Sequence, residues 1–336
     1  MDVIIDTDVD FDDYMAMIYL LQHKEINVLG ITVTGCGAAH LSKGVDNVRN
    51  MLTLFDAETQ KIPVFAGATS PMIYSNVFPY DVRSAANAHY GVTFPAVNPN
   101  PYTETEASQW MAETISSAVN PIAFLLIGGG TNFAKALSQL NTNSLSNIGK
   151  VVMMGGNLLP EYISPGAQGN IQDTLGKTPY YTNAVAEWNI FVDVQAAQRV
   201  LSSDLDITLV ALNACNDVPI TQAFVNQLKE IDTSAAIFVT QILDSPTIVG
   251  GIDAYLEFWD PLAASVLVDE TLVSTEIFGI SIVQTLNEAN DTSGKIEVDA
   301  INGSPVKIAI AANKSAVFAQ YLTAMAEVTS NEVAYV

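Results

Sequence analysis

The run Val3-Ile4-Ile5 is closed by Asp6 and leads straight into Asp6-Thr7-Asp8-Val9-Asp10-Phe11-Asp12-Asp13. A short β-branched run of this kind suits a strand buried on both faces, the type found in parallel sheets covered by helices on either side. The segment that follows carries five carboxylates in eight residues. A strand too apolar to lie on a surface therefore delivers a dense negative charge to its own carboxyl end. Like charges at this spacing repel and raise one another's pKa, whereas a divalent cation turns them into ligands. A solvated acidic turn fits poorly after a strand of that composition.

The rest of the chain repeats the strand-then-helix rhythm. From Asp12, the residues Met15, Ile18 and Tyr19 recur at helical spacing, with carboxylates in the first turn where the helix dipole favours them. Residues 26–33 read as a second buried strand ending at Gly35, and 41–54 as an amphipathic helix with Val45, Val48 and Leu52 on one face. Helices are predicted over 104–119 and 132–140, strands over 122–127, 151–154, 207–212, 277–283 and 306–311, and a closing helix over 315–328. This alternation predicts an α/β fold: a mostly parallel, doubly wound central sheet flanked by helices, with a Rossmann-like core, as one domain over 1–336. A polar stretch at about 74–103, containing Pro and Asn, is longer than compact domains usually tolerate and reads as a lid loop.

Composition narrows the ligands. Lys plus Arg number 13 against 36 for Asp plus Glu, a formal charge of -23 that repels phosphate backbones and anionic membrane surfaces. Nucleic acid and membrane are therefore not expected partners; a small molecule and a metal cation are. Cys36 and Cys215 are far apart and form no CxxC pair, so there is no zinc or dithiol signal. No apolar run approaches the roughly 18 to 20 residues of a membrane span. Strand-like sequence follows Met1 without a signal-peptide n-region, which favours a cytoplasmic protein, with periplasmic or secreted left open if a leader was removed.

Asp6, Asp8 and Asp10 match the first three ligand positions of an EF-hand loop, but position six is Phe11 rather than Gly and position twelve is Met17 rather than Glu. A phosphatase with an aspartyl nucleophile also places Asp-x-Asp after its first strand. Hard oxygen ligands point to calcium or magnesium rather than zinc, and calcium accepts the less regular coordination of several chain segments. In open α/β sheets ligands bind beyond the carboxyl ends of the strands, where Asp8, Gly35, Thr131 and Gly155 would all emerge.

With these residues in place, the sequence resembles the inosine-uridine nucleoside hydrolase family. The family's opening motif Asp-x-Asp-x-x-x-Asp-Asp is matched by Asp6, Asp8, Asp12 and Asp13. Gly128-Gly129-Gly130-Thr131-Asn132, Met153-Met154-Gly155-Gly156, Ala186-Glu187-Trp188-Asn189 and Asp260-Pro261-Leu262 are similar to its later motifs and occur in its order, so the resemblance covers about residues 1 to 330. The resemblance implies hydrolysis of the N-glycosidic bond of ribonucleosides to free base and ribose, with bound Ca2+, in a homo-oligomer (dimer or tetramer). It implies that Asp8, Asp13, the Thr131 carbonyl and Asp260 hold calcium, and that Asp8 is the catalytic base, taking a proton from a calcium-bound water. Asp12, Met154, Asn157, Glu187 and Asn189 would meet the ribose. Asp260 is expected to open a helix with Pro261 at its first position, where proline is sterically natural.

The sequence departs from the family in four places. Cys36 follows Gly35 where Asn is common, leaving Cys36 as a weakened sugar contact or a packing residue. Tyr181 stands where an Asn is usual, six residues before Glu187, with Asn183 as a displaced candidate. Asp10 stands where Gly is common, without an assigned role. Trp259 replaces the His that protonates the leaving base in some members, which suggests stacking on a purine, with Phe78, Tyr80 and Tyr90 as candidates for the opposite face and His89 as a weaker contact. Purine nucleosides are thus the expected substrates. The alternatives are a pyrimidine-specific or broad-specificity hydrolase, a noncatalytic calcium-dependent nucleoside-binding protein and a metal-dependent phosphatase. The last lacks a basic phosphate clamp near the acidic motif and leaves Glu187-Trp188-Asn189 unexplained.

Overall fold

The computed structural model describes residues 1–73, 76–171, 183–284 and 292–327. Tyr181, the end of the predicted closing helix and a small part of the predicted lid lie outside these residues. Among the described residues nine strands form one sheet. They are β1 (Asp2–Thr7), β2 (Asn27–Val33), β3 (Val64–Ala66), β4 (Ile122–Ile127), β5 (Ile148–Met154), β6 (Asp206–Val210), β7 (Val273–Ile282), β8 (Ile296–Val298) and β9 (Ser304–Ala312). Their order is β3-β2-β1-β4-β5-β6-β9-β7-β8. The first six strands and β9 pair in parallel, while β7 runs antiparallel to both β9 and β8.

The central strands carry apolar residues on both faces because each has two cores to serve. Val3 and Ile5 of β1 enter the core on one face of the sheet, and Ile4 enters the core on the other. Helices α1 (Phe11–Gln22) and α2 (Leu41–Met51) cover the first face, together with the helix Trp259–Val268 packed against α1. The helices Ala107–Ser117, Thr131–Leu137 and Val194–Leu201 cover the second. This is the doubly wound α/β architecture anticipated from the alternation. The order reverses direction between β1 and β4, so their carboxyl ends flank the crevice where open α/β sheets bind ligands.

Four differences from the sequence expectations have physical causes. Within the stretch read as a loop lies a helix, α3 (Tyr80–Asn87), which buries only Ala86 and so shows no apolar periodicity. The second helix stops at Met51 and tightens into a 3-10 turn over Leu52–Leu54. Strand β7 begins four residues earlier than the apolar pattern suggested, because its first half is an antiparallel edge with exposed side chains. Finally, the helix expected to open at Asp260 begins at Trp259. Pro261 is tolerated at its third position because the first four N–H groups of a helix have no intrahelical partner.

Candidate active site

Beyond the carboxyl ends of β1 and β4 lies a cavity of about 650 Å³. It is lined by Asp8, Asp10, Asp12 and Asp13 from the first turn, by Met154 after β5, by Glu187 and Asn189, and by Trp259 and Asp260. Segments separated by some 250 residues of chain therefore meet, and the amide of Asp260 donates to Asp12 Oδ2 at 3.3 Å.

Local chemistry fixes the acidic turn. Asp10 caps α1 by accepting from the Phe11 amide at 2.7 Å, and Asp13 closes the capping box by accepting from the Asp10 amide at 2.8 Å. Asp13 also accepts from Thr7 Oγ1 and from the Val9 amide, the latter at 3.2 Å. Val9 adopts φ 66°, a left-handed conformation that costs a β-branched residue energy and is held here by the hydrogen bonds around it. Asp8 lies against the loop after β2. Its Oδ2 accepts from the Ala38 amide at 3.1 Å and its carbonyl from the Ala39 amide at 2.9 Å. A Cβ on Gly37 would sit 1.5 Å from Asp8 Oδ2, so only glycine lets the backbone pass so close.

The cluster is buried and dense in carboxylates. Burial is the largest cause holding Asp8, Asp12 and Asp260 well above the usual carboxylate range, and repulsion from neighbouring carboxylates adds to it. Among the described residues none of the three is paired to a Lys or Arg, and the cavity lining contains neither residue type. Buried carboxylates in this density call for a cation. Asp12, Asp13 and Asp260 each offer an oxygen, and these oxygens lie within 4.8 Å of one another. An all-oxygen donor set of this kind fits a hard divalent ion. Asp8 lines the same cavity but lies outside that tightest triad.

The ribose candidates divide. Glu187 caps its helix, accepting from the Asn189 amide at 2.7 Å and the Ile190 amide at 3.1 Å, and also from the Gly156 amide at 2.9 Å. Asn189 donates to the Met154 carbonyl at 3.3 Å, which keeps all three groups together at the cavity wall. Asn157 is fully buried and donates to the Ala167 carbonyl at 2.9 Å, away from the cavity lining. Asn183 is tied up by the Val185 and Ala186 amides and the Ser293 carbonyl. Cys36 packs with Sγ toward the Ala68 carbonyl, and burial pushes its thiol up to about 11. Thr131 donates its hydroxyl to Asp193 at 2.7 Å and does not itself line the cavity.

Aromatic residues line the same cavity. Trp259 meets Phe11 edge-on at 6.1 Å, Phe11 meets Tyr90 edge-on at 6.2 Å, and Phe78 stacks on Trp188 at 4.5 Å; all five line the cavity. Tyr80 is 85% exposed and is not among them. His89 Nδ1 donates to the Val92 carbonyl at 2.9 Å, and the residue stays outside the lining. Sequence reasoning passed over two residues, Trp188 and Asn170, whose Oδ1 accepts from the Trp188 amide at 3.1 Å. The signal for Trp188 was present, since it stands between two ribose candidates; nothing in local spacing marked Asn170.

A doubly wound sheet with buried carboxylates, polar groups and aromatic rings around one crevice has the architecture of an α/β enzyme. Comparison with known proteins agrees. The family model for inosine-uridine preferring nucleoside hydrolases matches residues 3–319, and the chain belongs to that family, whose members are enzymes. It is 30% identical over 305 residues to the inosine-uridine preferring nucleoside hydrolase of Leishmania major, covering 88% of this chain and 87% of the relative. It is 29% identical over 242 residues to the pyrimidine-specific ribonucleoside hydrolase RihA of Shewanella sp. (strain MR-4), covering 72% and 68% of the two chains. The purine-preferring ribonucleoside hydrolase of Gardnerella vaginalis shares the fold at TM-score 0.78 and 23% identity, over 97% of this chain and 98% of that one.

Proposed function

We propose that the enzyme hydrolyses ribonucleosides with purine bases favoured, in the presence of calcium, giving free base and ribose. The observation that carries this reading is one cavity lined by both buried carboxylates and aromatic rings, with no Lys or Arg among the described lining residues. A calcium ion held by Asp8, Asp13, Asp260 and the Thr131 carbonyl, with Asp12 adjacent, would neutralise the carboxylates and acidify a water. Asp8 takes the proton of the attacking water, whose oxygen forms the new bond to the anomeric carbon as the bond to the base breaks. Asp12, Glu187 and Asn189 hold ribose hydroxyls; the oxygens of Glu187 retain lone pairs beyond their amide bonds. Trp259 stacks on the leaving base, whose basicity then suffices for protonation from solvent.

A pyrimidine-specific or broad-specificity enzyme is the second reading, favoured by the similarity to the Shewanella protein. Turnover of inosine, adenosine, guanosine, uridine and cytidine, each with and without chelator, separates the two. Purines should win and chelator should abolish turnover. Faster cleavage of uridine, or indifference to chelator, would overturn the proposal.

A further inference from the structure

Arg83 lies on α3, whose Val82 and Ala85 face the cavity, but its guanidinium points elsewhere. Nη2 donates to the Gly35 carbonyl at 2.9 Å and to the Ala39 carbonyl at 3.3 Å. These two carbonyls bracket the loop that cradles Asp8, whose amides at Ala38 and Ala39 hold the Asp8 carboxylate and carbonyl. Thr34 Oγ1, accepting from the Cys36 amide at 3.2 Å, and Asn87 Oδ1, accepting from the His40 amide at 2.9 Å, hold the two ends of the same loop. Cys36 turns back to the Ala68 carbonyl, and Gly37 has no side chain and is pressed against Asp8. Arg83 is half-buried, so its two bonds are made where water competes poorly, and Asp8 exerts an electrostatic pull on the guanidinium.

From this arrangement we infer that Arg83 is a positioning residue: it clamps the loop after β2 so that Asp8 keeps the orientation for proton abstraction, and it couples the cavity wall on α3 to that carboxylate. The inference rests on Asp8 being the base. Both bonds come from one nitrogen, Nη2, which the planar guanidinium holds in a fixed direction, whereas a lysine ammonium sits on a shorter and more flexible stem. Misplacement of a reacting group by about 1 Å costs on the order of 100-fold in rate.

The test uses Arg83→Met, which keeps an apolar stem and removes both bonds, and Arg83→Lys. On a purine riboside, kcat should fall roughly 10- to 100-fold in Arg83→Met with KM changed less than about three-fold, and Arg83→Lys should recover part of the loss. Amide hydrogen exchange at Ala38 and Ala39, measured on the intact protein with chelator, should accelerate in Arg83→Met while the central strands stay protected. Unchanged kcat and unchanged exchange would overturn the inference. So would equal losses of kcat and melting temperature in both variants, which mark a merely structural residue. Asp8→Asn as a parallel control separates the two ideas: near wild-type turnover there defeats the assignment of Asp8, whereas an inactive Asp8→Asn beside a fully active Arg83→Met defeats only the role of Arg83.

Discussion

At the scale of single residues, the side chains proposed for the sugar also hold up the wall they line. Glu187 spends both oxygens on three backbone amides, so Glu187→Gln turns an amide N–H toward a buried N–H donor. Loss of a helix cap costs about 1 kcal/mol and a buried unpaired donor about 1 to 3 kcal/mol. Glu187→Gln should therefore lose turnover and several degrees of melting temperature together, while Asn189→Ala loses turnover with a smaller thermal penalty; equal thermal shifts would refute this ranking. Trp259 makes a separable prediction, since it lies half-buried in the cavity lining beside Phe11. Trp259→Ala should slow inosine or guanosine far more than nitrophenyl riboside, whose leaving group needs no proton. Equal slowing of both substrates would reduce Trp259 to a wall of the pocket.

Elements explain what the sequence could and could not reveal. Strands β1, β2, β4 and β5 were legible because burial on both faces demands apolar runs, and the acidic turn was legible because five carboxylates at the end of a buried strand are too dense for an ordinary solvated turn. Helix α3 was not, because a helix that buries one alanine has no stripe to read. Nor could local spacing give Asp10 its role, since its partner lies eighty residues on: Tyr90 donates its hydroxyl to Asp10 Oδ1, tying the segment after α3 to the start of α1. Asp10→Ala removes both a cap and this tie and should cost about 1 to 2 kcal/mol. In a double-mutant cycle with Tyr90→Phe, denaturant melts should show coupling of about 0.5 to 3 kcal/mol; strictly additive single-mutant effects would mean that the two elements stand independently.

For the molecule as a whole, the buried acids tie stability to pH and to the ion. Burial lifts Asp13 to about 6 and Asp6 to about 7 against an ordinary 3.8. A carboxyl whose pKa is raised by folding contributes stability that is fully present below its unfolded value and is lost as pH rises through its folded one. Chelated protein should accordingly melt higher near pH 5 than near pH 8, with the loss spread over the window between about 4 and about 7. Saturating calcium should flatten or reverse that slope, because the ion binds the deprotonated cluster. A chelated protein that gains stability toward alkaline pH would contradict this picture. The same cluster draws on distant segments of the chain, for Asp12 and Asp260 touch across 248 positions of sequence. Closing so long a loop is among the entropically dearest contacts a chain makes, and the earlier carboxylates gain little from an ion until it closes. The proposed ion would on this ground be recruited late in folding, as a seal on a nearly finished molecule rather than a seed for its first strand.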